Sequence, residues 1–165
     1  RDLQSVLRVA EQAAYEAGEI MTRTAGKIAV AKTKSNARDL VTDSDVKCQG
    51  VIKRVISEAF PNDVFLGEED VGAGSEASAL ALKDALLEGK DSNCDNDDQK
   101  ERLLWIVDPI DGTTNFQAGL PLFCASIGVV SLPTSSSSSS IPEVVAGVIY
   151  NPVLGEMTSS IRGGG

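Results

Sequence analysis

Carboxylates are the side chains of this sequence best placed to do chemistry, because the chain contains no histidine. That excludes histidine-based triads, histidine-ligated zinc and imidazole proton shuttles. Any reaction must run on carboxylates, hydroxyls, lysines, cysteines or bound ions. The sharpest cluster is Asp108-Pro109-Ile110-Asp111-Gly112-Thr113, which follows the apolar run Leu103-Leu104-Trp105-Ile106-Val107. Pro109 locks its own φ and pushes the residue before it toward an extended form. Asp108 and Asp111 can then converge on one point, with the Ile110 carbonyl nearby. Hard oxygen donors of this kind suit Mg2+ or Mn2+ rather than zinc or copper. Gly112 permits a tight turn, and the N–H groups after it would cradle a phosphate if they open a helix. Read alone, the same residues also make an ordinary acidic turn.

Three other acidic clusters are weaker. Glu68-Glu69-Asp70 follows the short apolar run Val64-Phe65-Leu66 and, by itself, reads as a solvated charge run. Asp39-Leu40-Val41-Thr42-Asp43-Ser44-Asp45 reads as a helix start whose acids favour the macrodipole. The segment 91–101 imitates a calcium loop through Asp91, Asn93, Asp95 and Asp97. The required glycine is Asn96, however, and Glu101 falls one residue early, so a solvated loop is expected. Gly72-Ala73-Gly74 has no following Gly-Lys-Ser/Thr and makes no phosphate loop.

The elements that must position these acids follow from apolar periodicity. Leu3, Val6, Leu7, Ala10, Ala13, Ala14 and Ala17 predict a helix over 3–25 with Gly26 as its stop. Residues 28–33 alternate weakly and predict a strand. Thr42 to Asp45 predict the opening of a second helix. Its apolar face is Val46, Val51, Ile52, Val55, Ile56 and Ala59, and Pro61 ends it. Strands are expected at 64–66, 103–107, 123–132, 144–150 and 156–161, the second of them central and buried, with a helix over 77–87. Asn151-Pro152 marks a turn. Serines 135–140, within a low-complexity loop over 134–141, predict a hairpin connection. Helices first and adjacent strands last argue for a layered α+β domain.

The charge of −9 argues against nucleic acid held by charge, while bound cations would still admit an anionic substrate. Cys48, Cys94 and Cys124 are odd in number and far apart, which fits neither a disulfide framework nor a zinc site. No apolar run is long enough to cross a bilayer, and the amino end lacks the apolar stretch of a signal peptide. The expectation is a soluble protein of a reducing compartment, cytoplasm or plastid.

The acid before the second helix, the Gly-Glu-Glu after one strand and the Asp-Pro-Ile-Asp-Gly-Thr after another form a specific combination. It resembles the inositol monophosphatase family of the lithium-sensitive, magnesium-dependent phosphatase superfamily. Asp39-Leu40-Val41-Thr42, Trp105-Ile106-Val107 and Thr114-Asn115-Phe116 agree with it. The resemblance implies a layered α/β sandwich with two N-terminal helices on a largely antiparallel sheet. It implies Glu68, Asp108, Asp111 and the Ile110 carbonyl as metal ligands. It gives Asp45 and Thr113 the task of orienting and deprotonating water, and Glu69 that of holding metal-bound water. Gly112 and Thr113 would meet the substrate phosphate. The implied reaction is two-metal hydrolysis of a small phosphate monoester, inositol monophosphate first. A nucleotide 3′-phosphatase, a histidinol phosphatase and a non-catalytic fragment or binding protein that keeps the fold are the alternatives.

The family's later Trp-Asp motif has no match here, Trp105 being the sole tryptophan. The resemblance therefore implies an N-terminal fragment over 1–165, weak or inactive alone, from a parent that dimerises in many relatives. Residues 71–102 are expected to be a variable insertion.

Overall fold

The computed structural model describes residues 1–27, 37–71, 75–91, 102–132 and 141–164; of residues 37–42, 75 and 87–91 it describes the backbone alone. The expected strand at 28–33, the calcium-like segment beyond Asp91 and the serine run 135–140 lie outside the described residues.

Helix α1 (Leu3–Thr24) starts where the Asp2 carboxylate accepts from the N–H groups of Gln4 and Ser5. Such a cap is worth about 1 kcal/mol. Its buried stripe, Val6, Ala10, Ala13, Ala14, Ala17, Gly18 and Met21, is built largely from small residues, which lets neighbours approach closely. At Gly18 the approach is extreme: a Cβ there would lie 2.5 Å from Cε1 of Tyr150.

Helix α2 (Ala37–Ala59) begins ahead of the Thr42–Asp45 start expected from capping residues. A side chain that caps a helix end can also sit within a helix when it faces solvent, as exposed Asp43 does, paired with Lys47 one turn on. The buried face of α2 also differs from the apolar face read in the sequence. Ser44, Asp45, Cys48, Gln49, Ile52 and Ile56 are buried, whereas Val46 is 53% exposed. The periodicity is helical, but polar residues occupy half of the inward stripe.

Strands β1 (Val64–Gly67), β2 (Leu103–Asp111), β3 (Cys124–Ser131), β4 (Glu143–Asn151) and β5 (Glu156–Ile161) form one sheet in that order. β1 runs parallel to β2, and every other neighbouring pair is antiparallel. The strand expected to be central is second from the edge, and β3 occupies the middle. β2 is nonetheless buried on both faces. Leu103, Trp105 and Val107 face the core shared with α1 and α2, while Leu104 joins Val64, Leu132 and Ala85 of helix α3 (Ser75–Asp91) on the other face. Helix α3 thus extends the expected 77–87 helix in both directions and fills much of the expected insertion. The fold is α+β, with two N-terminal helices against a mostly antiparallel sheet, as expected. A short helix α4 (Thr113–Ala118) joins β2 to β3.

Asp63 anchors the start of β1. Its carboxylate is buried, with the side chain 1% exposed. It accepts from Arg1 at 2.6 Å, from the Trp105 indole Nε1 at 2.9 Å and from the Leu103 N–H at 3.2 Å. Phe60 stacks on Trp105, and the Arg1 guanidinium lies over Phe60. One carboxylate therefore ties the chain's beginning, the end of α2 and the start of β2.

Candidate functional site

The parallel pairing of β1 with β2 creates the site. Gly67 is registered against Val107, so the next residues, Glu68 and Asp108, leave the paired region side by side. Glu68, Glu69 and Asp70 form a single 3-10 turn there.

A bulge then shapes the motif. Asp108 is registered against Ser126 and Asp111 against Cys124, so β2 advances one residue more than β3. On a regular strand, residues three apart point to opposite faces. One inserted residue restores them to the same side, and the charge of Asp111 indeed acts on Asp108. Pro109, which has no N–H to give to the ladder, sits within this irregular stretch.

Gly112 turns the chain from β2 into α4 with φ +91°. A Cβ at that position would lie 2.7 Å from the Leu122 carbonyl oxygen, so glycine is required on two counts. The Gly112 carbonyl accepts from the N–H groups of Asn115 and Phe116. The Thr113 hydroxyl donates to the Ile110 carbonyl at 3.2 Å. Among the described residues no hydrogen bond joins Thr113 to Asp45, the two groups the family resemblance assigns to the same water.

From the other side, α2 presents Asp45 and Gln49, one turn apart and both buried. The Asp45 carboxyl is pushed from its ordinary 3.8 up to about 7, by burial first and then by the charges of Glu69 and Glu68. Asp108 is also pushed up, by burial, by the charge of Glu68 and a hydrogen bond with it, and by Asp111; the Ile110 N–H offsets this in part. Glu69 is raised by burial and by Glu68 and Asp70. Cys124 Sγ lies 3.9 Å from Asp111 Oδ2, and its thiol is raised by burial and by Asp111 and Asp108.

Asp45, Glu68, Glu69, Asp108 and Asp111 are thereby drawn into one electrostatic neighbourhood. They meet as linked pairs rather than at the single point expected from the sequence. Among the described residues no group of three carboxylates or thiols is close enough to hold a metal ion. The donor set still fits a hard cation. Asp108 Oδ1 is buried with no hydrogen-bond partner among the described residues. Glu68 and Asp108 sit within hydrogen-bonding reach of each other, which two ionised carboxylates accept only with a proton or a cation between them.

The sign of the Asp45 shift gives a measurable pH dependence. In chelator, the folded state binds the Asp45 proton more tightly than the unfolded chain does. Its contribution is therefore full below about pH 4 and is lost as pH rises toward about 7, beyond which the curve levels. The loss is on the order of 2–4 kcal/mol. Asp45→Asn should flatten this part of the stability curve in urea unfolding, and an unchanged slope would refute the shift.

The sequence reading missed Gln49 and Asp63. The signal for Gln49 was its place one helical turn after Asp45; nothing local marks Asp63, whose partners lie far along the chain.

Comparison with known proteins adds a family match over residues 2–165 to the model described as "Inositol monophosphatase family". The chain is 34% identical over 163 residues to inositol monophosphatase 3 of Solanum lycopersicum, covering 99% of this chain and 50% of that protein. It is 35% identical over 162 residues to inositol-1-monophosphatase of Mesorhizobium japonicum, covering 98% and 49% respectively. The crystal structure of extragenic suppressor protein suhB from Bartonella henselae superposes with a TM-score of 0.63 at 30% identity, over 98% of this chain and 50% of that one. The chain thus spans about half the length of these relatives.

Proposed function

This chain belongs to the inositol monophosphatase family, and from that premise we propose that it supplies the carboxylate half of a magnesium-dependent site that hydrolyses a small phosphate monoester, inositol monophosphate first among them. The observation that carries the reading is the buried, unpartnered Asp108 Oδ1 beside Glu68 and Asp111. In this reading Glu68, Asp108, Asp111 and the Ile110 carbonyl hold the metal. Bound Mg2+, or Mn2+ in its place, supplies Lewis-acid stabilisation of the phosphoryl oxygens and lowers the pKa of water.

The chain's own residues have separable tasks. Asp45, on the buried face of α2 beside Glu68 and Glu69, would accept a proton from the attacking water. Thr113 orients that water once its hydroxyl leaves the Ile110 carbonyl. Glu69 holds water at the metal's edge. The backbone N–H groups of Gly112 and Thr113, which precede those bonded to the Gly112 carbonyl, would meet the phosphate.

The direct test is phosphate release in the full-length context, with magnesium and with chelator, on inositol monophosphates, histidinol phosphate and adenosine bisphosphate. Magnesium-dependent release from an inositol phosphate is the expected result. Release from another substrate alone moves the protein to a sister branch. No release from any of them favours a non-catalytic role.

A further inference from the structure

Gln49 is a buried polar side chain, 7% exposed, that no motif claims. Its carboxamide makes two contacts with the acidic turn. Oε1 accepts the Glu69 N–H at 3.1 Å. The same amide lies against the backbone of Gly67, so closely that a Cβ at residue 67 would stand 2.0 Å from Oε1 and 2.3 Å from Cδ. Gln49 therefore bridges the residues on both sides of Glu68. A second restraint comes from the sheet, where Gly67 is registered against Val107. Between them the ladder and the carboxamide hold the Glu68 backbone at two points, and Glu68 is left facing Asp108.

The residue type matters as much as its place. The part-buried N–H of Glu69 finds its acceptor in that amide oxygen, and a donor left without one there would cost stability. Asp45 stands one turn away on α2, already close to Glu68 and Glu69. An amide oxygen satisfies the donor without adding another negative charge to that group. The glycine at 67 is the complementary half, because any larger residue would displace the amide.

We propose that Gln49 is a positioning residue for the metal site: seated on Gly67 and bonded to the Glu69 N–H, it fixes the Glu68 carboxylate opposite Asp108 and so sets the affinity for the divalent cation. This rests on the magnesium-dependent reading above. It places a determinant of metal affinity on α2, on a residue that holds no metal itself.

The test compares Gln49→Met, which keeps the volume and removes the acceptor, with Gly67→Ala, whose Cβ displaces the same amide and changes no charge. Each is titrated with Mg2+ while the melting temperature and the calorimetric binding isotherm are followed, beside the wild type and Asp108→Asn. Gln49→Met should need about tenfold more Mg2+ or beyond for half-maximal stabilisation, the size of effect seen when the partner that orients a ligand is lost. Gly67→Ala should shift the midpoint in the same direction and by a similar factor, about tenfold on the same scale. A lesion that was only structural would lower the melting temperature in chelator and leave the Mg2+ midpoint unmoved, and that outcome overturns the proposal. It is also overturned if Gly67→Ala folds normally and leaves the Mg2+ midpoint at the wild-type value. If the wild type itself shows no Mg2+ response, the metal reading falls and takes this inference with it. If the wild type responds, Asp108→Asn does not and Gln49→Met matches wild type, only the role of Gln49 is refuted.

Discussion

Asp108→Asn should abolish the rise in melting temperature expected of the wild-type chain in Mg2+, while making the metal-free protein more stable. The two effects have opposite signs because Asp108 plays opposite parts in the two states. Without a cation its half-buried carboxylate lies beside Glu68 and Asp111 and is pushed toward the protonated form, so a neutral amide relieves the folded state near neutrality. With a cation the same charge is an asset, and a ligand at a hundredfold excess over its dissociation constant adds about 2.7 kcal/mol by mass action. Asparagine removes the anionic ligand and with it most of that gain. In the full-length context phosphate release should fall by at least about a hundredfold, the size of loss from deleting one charge-stabilising group. Thermal melts in chelator and in millimolar Mg2+ decide the matter. An ordinary packing defect would lower both curves together, and an undiminished Mg2+ response would remove Asp108 from the site.

Asp63→Ala should cost about 3–5 kcal/mol, the range for removing one partner of a buried charged pair. The carboxylate does several jobs that alanine cannot share out. It accepts from the Trp105 indole and from the Leu103 N–H, both at the start of β2, and it pairs with Arg1. Trp105 is fully buried, so its N–H has no water to turn to. The melting temperature should fall by roughly 10 °C, taking about 2–4 °C per kcal/mol for a domain of this size. Asp63→Asn keeps an acceptor and gives up the charge toward Arg1, so it should lose less than half as much. Urea unfolding with matched m-values gives both numbers. A loss under about 1 kcal/mol for alanine would mean that solvent reaches the indole after all.

The elements and the motif were legible because their signals are local. The stripe Val6, Ala10, Ala13, Ala14 and Ala17 marks α1, and the apolar run at 103–107 marks β2 as surely as its buried pattern does. The motif residues Asp108, Asp111, Gly112 and Thr113 were legible for the same reason, since an apolar strand, a proline and a glycine stand in fixed order. The inward face of α2 was not. Hydrophobicity favours Val46, but the helix turns Gln49 inward, where the Glu69 N–H on another element meets it, and Asp45 shares that buried face. The way Asp108 and Asp111 come to share a side was equally hidden. It depends on a register irregularity against β3, which only pairing defines. The roles of Gln49 and Asp63 need β1 and β2 to be aligned first, and no local pattern sets a parallel register.

That parallel register also sets an order of assembly. β2 to β5 form an antiparallel meander whose successive strands pair with their neighbours in the chain. β1 instead reaches β2 across a wide span of sequence, with Asp63 meeting Leu103 40 residues on. Loop closure over such a span carries an entropy cost before any contact repays it, and non-local pairings of this kind form slowly. The half of the cluster that carries Glu68 and Glu69 therefore arrives after the half that carries Asp108 and Asp111. Two mutually repelling halves that join late and over a long span are held by a weak seam, and the divalent ion proposed above would be the clasp that closes it.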